Sequence, residues 1–140
     1  MELNRRKILG LGAGTVAFVS LSGVAVFASL TDDAIVAMTG GADVTEGGID
    51  LTAPEIAENG NTVPIAVSAP GAVEIALFAA GNPTPAVATF KFGPLAGARA
   101  GSTRIRLAKT QDVIAVAKME DGTFRRASAT VKVTIGGCGG

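Results

Sequence analysis

The chain of 140 residues contains no histidine, no tryptophan and no tyrosine, and it has a single cysteine. The absence of histidine removes the side chain that most often serves as a general base or metal ligand near neutral pH. A Ser-His-Asp catalytic set is therefore excluded, and so are the usual zinc sites. One cysteine also excludes an intramolecular disulfide. We expect no metal site, no bound cofactor and no catalytic residue in this chain.

Charge is balanced in sum but not along the chain. There are 12 basic and 12 acidic residues, which give a formal net charge of zero. Every charged side chain between Ser29 and Phe90 is acidic, whereas from Lys91 to Lys132 nine basic residues accompany three acidic ones. The pattern fits either two solvated faces of one domain or a dipolar surface that orients the domain on partners. Because the basic residues are interleaved with acidic ones and no aromatic platform accompanies them, we expect no nucleic-acid binding.

The first 28 residues have the composition of an export signal. The pair Arg5 and Arg6 lies in the sequence N-R-R-K-I-L, which resembles a twin-arginine signal. The apolar segment Ile8–Phe27 follows, and small residues precede a signal-peptidase cut after Ala28. We therefore predict a signal peptide over residues 1–28 and export to the periplasm by the twin-arginine route. A membrane-spanning helix is the alternative, but the glycines and the cleavage site argue against a stable membrane anchor.

Residues 29–135 are predicted to form one all-β domain. Thr31 is expected to cap a short N-terminal helix, which Gly40 and Gly41 end. The hydrophobic period then changes to two, as in half-buried strands. The alternating runs are Ile49–Thr52, Thr62–Val67, Ala72–Phe78, Ala86–Phe92, Ser102–Leu107, Asp112–Met119 and Phe124–Ile135. Seven short alternating runs separated by turn sequences are typical of an antiparallel β-sandwich.

Local signals refine this prediction. Asp121-Gly122 lies between the last two runs and indicates a tight hairpin. Pro64 indicates either an edge strand or the start of a strand, because proline lacks an N–H group for the ladder. Glu55 and Glu58 lie near a turn sequence and are interpreted as solvated loop residues rather than as a catalytic pair.

The C-terminal tail, residues 136–140, has the sequence Gly-Gly-Cys-Gly-Gly. Glycine resists fixed structure, so Gly136, Gly137, Gly139 and Gly140 predict a flexible peptide around Cys138. A free cysteine is usually buried as a small hydrophobic residue, but no core can form at this position. We predict that the tail presents the thiol to a pocket of another protein, which supplies the charges that activate it. The alternative is an incidental cysteine in a frayed terminus.

Several segments resemble the SoxY family, the sulfur carriers of the thiosulfate-oxidising Sox system. The similar segments are Pro54–Pro64, Val87–Phe90, Ser102–Ala108, Asp112–Met119 and Val131–Gly140. The terminal Gly-Gly-Cys-Gly-Gly is the most specific of them. The resemblance implies an immunoglobulin-like sandwich, a heterodimer with a SoxZ-like subunit, and sulfur species bound covalently to Cys138.

The resemblance also implies a sequence of partner enzymes. A Sox cytochrome joins thiosulfate oxidatively to Cys138, a hydrolase releases sulfate, and a sulfane dehydrogenase oxidises the sulfur that is left. The chain is then expected to be a substrate carrier and not an enzyme. A function of a different class stays open at this point, in which an exported β-sandwich dimerises through a Cys138 disulfide and serves as an interaction module.

Overall fold

The structure, a computed structural model, describes the main chain of residues 23–137 and the side chains from Ser29 onward. The described part contains one helix, α1 (Gly23–Thr39), and nine strands. The strands are β1 (Val44–Glu46), β2 (Asp50–Thr52), β3 (Ile56–Asn59), β4 (Val63–Ser68), β5 (Ala72–Ala79), β6 (Ala86–Lys91), β7 (Ala100–Ile105), β8 (Gln111–Met119) and β9 (Phe124–Ile135). No helix within this range is long and apolar enough to cross a bilayer.

The strands form two sheets that pack as a sandwich. The larger sheet has the order β1-β9-β8-β5-β6, and β3 pairs with the other end of β9. The smaller sheet has the antiparallel order β2-β4-β7. The all-β, immunoglobulin-like sandwich with a short N-terminal helix is therefore confirmed. β1 and β3 add parallel pairings to β9, which alternation alone did not predict.

Alternating side chains of both sheets fill the space between them. Val63, Ile65 and Val67 point inward from β4 and are at most 3 % exposed. Ile75 and Leu77 of β5 meet them from the larger sheet and are fully buried. These aliphatic side chains form the main core, because each strand places every second residue on its inner face.

The central strands β5 and β8 are buried on both faces because α1 covers the outer face of the larger sheet. Phe78 of β5 and Val116 of β8 form a second apolar cluster with Ile35 of the helix. Thr31 and Thr39 lie four residues to either side of Ile35 and are also buried, so one side of the helix faces the sheet. This arrangement explains why the sequences of both strands read as nearly continuous apolar runs.

The predicted helix start at Thr31 is wrong. The helix begins at Gly23 and therefore runs through the predicted cleavage position after Ala28. Thr31 is 2 % exposed, and its hydroxyl donates to the carbonyl oxygen of Ala80 at 3.5 Å. The side chain thus contacts the sheet instead of capping the helix. The predicted end is confirmed, since Gly40 has a φ of 66° and its N–H donates to Val36.

The hairpin at Asp121-Gly122 is confirmed between β8 and β9. Gly122 has a φ of 84°, and its N–H donates to Met119 at 3.0 Å. A carboxylate oxygen of Asp121 accepts hydrogen bonds from the Thr123 hydroxyl at 2.6 Å and from its amide at 2.9 Å. These two bonds hold the pKa of the Asp121 carboxyl below its usual value, with the hydroxyl as the larger cause.

The positions of Pro64 in the smaller sheet and of Glu58 in β3 test two local predictions. β4 lies between β2 and β7, so Pro64 is not on an edge strand. Pro64 is the second residue of β4 and lies before Ala66, the first residue of β4 that pairs with β2. The strand-start alternative is therefore the one that holds. Glu58 is exposed as predicted, but it belongs to strand β3 and not to a loop.

The main core makes a quantitative prediction about stability. Leu77→Ala should lower the free energy of unfolding by about 2–5 kcal/mol, because it leaves a cavity at a fully buried position. Leu95→Ala is the matched control, since Leu95 is 99 % exposed and the change there should stay within about 0.5 kcal/mol. Urea denaturation followed by circular dichroism measures both. Equal losses for the two variants would contradict the assignment of the core.

Candidate functional site at the base of the C-terminal tail

The last strand, β9, leads directly into the tail and is held along both edges. On one edge β8 pairs with its first eight residues, ending at Val131. On the other edge β1 pairs with its beginning, and β3 pairs with it from Lys132 to Ile135. Beyond β8, the hydroxyl of Thr110 accepts the Val133 N–H at 2.9 Å. The strand is therefore fixed as far as the residue that precedes the tail.

A chain of three main-chain hydrogen bonds continues from the end of β9 into the tail. The N–H of Gly60 donates to Ile135 at 2.7 Å, and the carbonyl oxygen of Gly60 accepts the N–H of Leu107 at the same distance. The N–H of Gly137 then donates to the carbonyl oxygen of Leu107 at 2.8 Å. We call this set, Ile135, Gly60, Leu107 and Gly137, the tail anchor. Because the tail anchor uses only main-chain atoms, its three hydrogen bonds form only if the backbones of these segments approach each other closely.

The backbones in the tail anchor approach so closely that glycine is required. A Cβ on Gly60 would overlap the carbonyl oxygen of Leu107, and one on Gly136 would overlap that of Ala108. A Cβ on Gly137 would lie 2.7 Å from the carbonyl oxygen of Gly60, well inside van der Waals contact. Gly136 and Gly137 therefore pack against the domain, and Gly60 makes the space for them.

Cys138, Gly139 and Gly140 lie outside the described residues, and so do Arg5 and Arg6. The roles predicted for them, a sulfur attachment site within a flexible tail and an export signal, therefore stay predictions. The structure does place the residue before the thiol. Gly137, which precedes Cys138 in the sequence, is held by the tail anchor.

The described residues around the tail anchor include several charged side chains. Within residues 23–137 there is no cluster of three or more acidic, histidine or cysteine side chains that could hold a metal. The exposed arginines Arg104 and Arg106 flank the buried Ile105, and Lys109 lies two residues beyond Leu107. In the described part of the chain neither arginine forms an ion pair. The segment 104–109 next to the tail base therefore carries three exposed basic side chains, whereas the exposed Glu58 lies on β3 at the other side.

Sequence reasoning missed the residues that hold the tail base. No structural role was predicted for Gly60 or Asn82. Leu107 was assigned to a strand, whereas β7 ends at Ile105. No signal in the sequence showed that these segments meet, because the contacts join main-chain atoms that are far apart along the chain.

Comparisons with known proteins identify the family. The family model for the sulfur oxidation protein SoxY matches residues 35–138, so the matched range ends at Cys138. Among solved structures, the sulfur carrier protein SoxY from Chlorobium limicola f thiosulfatophilum is 42 % identical, with a TM-score of 0.68. That match covers 77 % of this chain and 99 % of the other. The comparison with curated proteins gave no significant match.

More distant structures share the fold alone. A superoxide reductase (neelaredoxin) from Ignicoccus hospitalis has a TM-score of 0.55 at 17 % identity, covering 62 % of this chain and 80 % of that one. A putative superoxide reductase from Thermotoga maritima has a TM-score of 0.52 at 17 % identity, covering 65 % and 87 %. At such identities the likeness concerns the sandwich and not the activity. The match over residues 35–138, together with the 42 % identical solved structure, shows that the chain belongs to the SoxY family of sulfur oxidation proteins.

Proposed function

We propose that this chain carries sulfur intermediates covalently on the Cys138 thiol and presents them to partner enzymes of thiosulfate oxidation. The observation that carries the proposal is the tail anchor, which fixes the main chain up to Gly137, the residue that precedes the single cysteine in the sequence. The family match supports the proposal because it extends to Cys138. A thiol used for packing would instead sit within a strand or helix of the sandwich.

The chemistry of loading and release balances on a single thiol. In loading, the Cys138 thiol and thiosulfate form a sulfur–sulfur bond, releasing one proton and two electrons, which a cytochrome accepts. In release, water attacks the terminal sulfonate, giving sulfate and two protons and leaving a persulfide anion on the cysteine. A sulfane dehydrogenase then oxidises the outer sulfur to a sulfonate with oxygen from three waters, releasing six protons and passing six electrons to an electron acceptor. A second hydrolysis releases this sulfur as sulfate and regenerates the thiol. The chain supplies the attachment point, and the catalytic groups belong to the partners.

The partners and the location extend the proposal. A SoxZ-like subunit is the proposed stable partner, and the Sox cytochrome, the hydrolase and the sulfane dehydrogenase are transient ones. The positive segment with Arg104 and Arg106 favours anionic adducts such as a thiosulfonate. The proposed location is the periplasm, reached by the twin-arginine route.

Intact-mass spectrometry of protein purified from thiosulfate-grown cells tests the attachment. Wild type should carry an extra sulfur atom or a thiosulfate-derived group that a reductant removes, because the thiol is the only sulfur nucleophile in the chain. Cys138→Ser, which keeps the size of the side chain, should carry neither. Co-purification of a second subunit in the same preparation tests the heterodimer.

The result that contradicts covalent carriage is an unmodified thiol in wild type under these conditions. A dimer on non-reducing gels that Cys138→Ser abolishes, with unchanged thiosulfate oxidation, would instead establish the disulfide-linked interaction module.

The tail anchor predicts a selective effect of glycine substitution. Gly60→Ala should lower the free energy of unfolding by about 1–3 kcal/mol, because the added methyl group overlaps the Leu107 carbonyl. It should also slow the loading of Cys138 by displacing the tail base. Gly93→Ala is the control, since nothing lies within 4 Å of a Cβ there. Urea denaturation and the rate of adduct formation measure the two effects, and identical behaviour of both variants would refute the anchor.

Export is tested by replacing both arginines of the signal with lysine. The Arg5→Lys, Arg6→Lys variant should stay in the cytoplasm with its leader intact, because the twin-arginine route reads the arginine pair. Lys7→Gln, which removes a neighbouring charge but keeps the pair, is the control. Cell fractionation and N-terminal sequencing provide the readout, and wild-type chain should begin at Ser29. Periplasmic recovery of the double variant would contradict this route.

A further inference from the structure

The loop that anchors the tail lies outside the main-chain ladders of the two strands it connects. β7 ends at Ile105 and β8 begins at Gln111, so residues 106–110 lie outside the sheet ladders. Yet this loop provides the Leu107 carbonyl oxygen that accepts the Gly137 N–H, and the Ala108 carbonyl oxygen that packs against Gly136. Whatever positions the loop therefore positions the tail base.

The side chain of Asn82 holds the loop on both sides of Leu107. Its Nδ2 donates to the carbonyl oxygen of Arg106 at 2.7 Å, and its Oδ1 accepts the N–H of Ala108 at 3.0 Å. The amide thus pairs with the backbone as a neighbouring strand would. Asn82 is 0 % exposed, so no water replaces either bond without opening the fold. An unpaired amide at such a depth would be strongly destabilising, so the Arg106–Ala108 part of the loop stays paired with the Asn82 side chain.

Gln111 fixes the orientation of the Asn82 amide. Its Nε2 donates to Asn82 Oδ1 at 2.8 Å and to the carbonyl oxygen of Lys109 at 3.0 Å, and its Oε1 accepts the Gly81 N–H at 2.8 Å. With Oδ1 receiving two N–H groups, Nδ2 can only face the Arg106 carbonyl. The contacts therefore form one connected polar network, in which removal of a single donor disturbs the rest.

We propose that Asn82, oriented by Gln111, is a positioning residue that sets the exit point of the C-terminal tail by fixing the 106–110 loop. Calling this a role in sulfur carriage rests on the function proposed above for Cys138, whereas the positioning itself rests on the described contacts alone. Within residues 23–137, Asn82 acts on the tail base through the loop that provides the Leu107 and Ala108 carbonyl oxygens.

Asn82→Asp tests the proposal because it changes one donor and keeps the shape. An ionised carboxylate faces the Arg106 carbonyl with an acceptor and breaks the pairing. A protonated carboxyl donates there and restores it. Burial and the facing carbonyl oxygen of Arg106 raise the pKa of the introduced carboxyl above the value of about 3.9 in an unfolded chain, and they outweigh the lowering by the Ala108 and Gln111 N–H groups and by the nearby Lys109 side chain. The restored pairing is therefore present at low pH and is lost as the pH rises through the raised value.

The readout is amide hydrogen exchange of Gly137 and Leu107 by NMR, expressed as protection factors so that the intrinsic pH dependence cancels. In Asn82→Asp, protection of both amides should fall at least about tenfold at about pH 8 and recover at about pH 5. Wild type should show no such pH dependence. Val116→Ala is the stability control, because it weakens the cluster under α1 without touching the loop, and it should leave the ratio of Gly137 protection to that of the core amides unchanged.

Gln111→Met is the second variant, which keeps the test possible if Asn82→Asp fails to fold at the higher pH, because it introduces no charge. It should lower the protection factor of the Gly137 amide at every pH. Unchanged Gly137 protection in the variants that fold, or an equal relative loss in Val116→Ala, would overturn the proposal. Adduct formation on Cys138, measured separately, distinguishes the two claims. If Gly137 responds as expected but wild type never carries sulfur, the positioning role stands and the carrier function fails.

Discussion

Main-chain hydrogen bonds along both edges of β9 are the constraint on which the rest of this structure depends. β8 holds one edge, while β1 and β3 hold the two ends of the other. The same strand contributes Val131 to the main core and Phe124 to the cluster under α1. It therefore couples both apolar layers to the tail anchor. Movement of β9 along its axis would break the ladders and both cores together, so the tail base has one register.

The parts of the fold that follow from side-chain periodicity could be predicted. All seven alternating runs are strands, and the run Phe124–Ile135 matches β9 from end to end. β1 and β3 could not be found in the same way. They have three and four residues, too few for alternation to stand out, and their existence depends on pairing with β9. The start of α1 at Gly23 was also not predicted. Thr31 has a side chain typical of a helix cap, but it is buried like a core residue.

The candidate site was only partly accessible from the sequence. The lone cysteine and its glycines identified the segment, because their composition is unusual wherever the chain folds. The reason for two of those glycines was not accessible. Gly136 and Gly137 were assigned to flexibility, whereas the structure shows a requirement for close approach to Ala108 and Gly60. Asn82 and Gln111 were equally hidden, since a polar network between two loops leaves no period and no motif.

The hydrogen bond at Gly137 has an energetic consequence for any protein that receives the tail. Fixing the backbone of one residue costs about 1–2 kcal/mol in conformational entropy. The backbones of Gly136 and Gly137 are already ordered in the folded domain, so binding to a pocket would not incur this entropy cost for them again. Preorganisation of this kind raises affinity without adding contacts. Under the function proposed above, Cys138 directly follows the anchored Gly137 in the sequence, so a pocket that binds its side chain must approach the exposed Ile135 and the end of the sandwich.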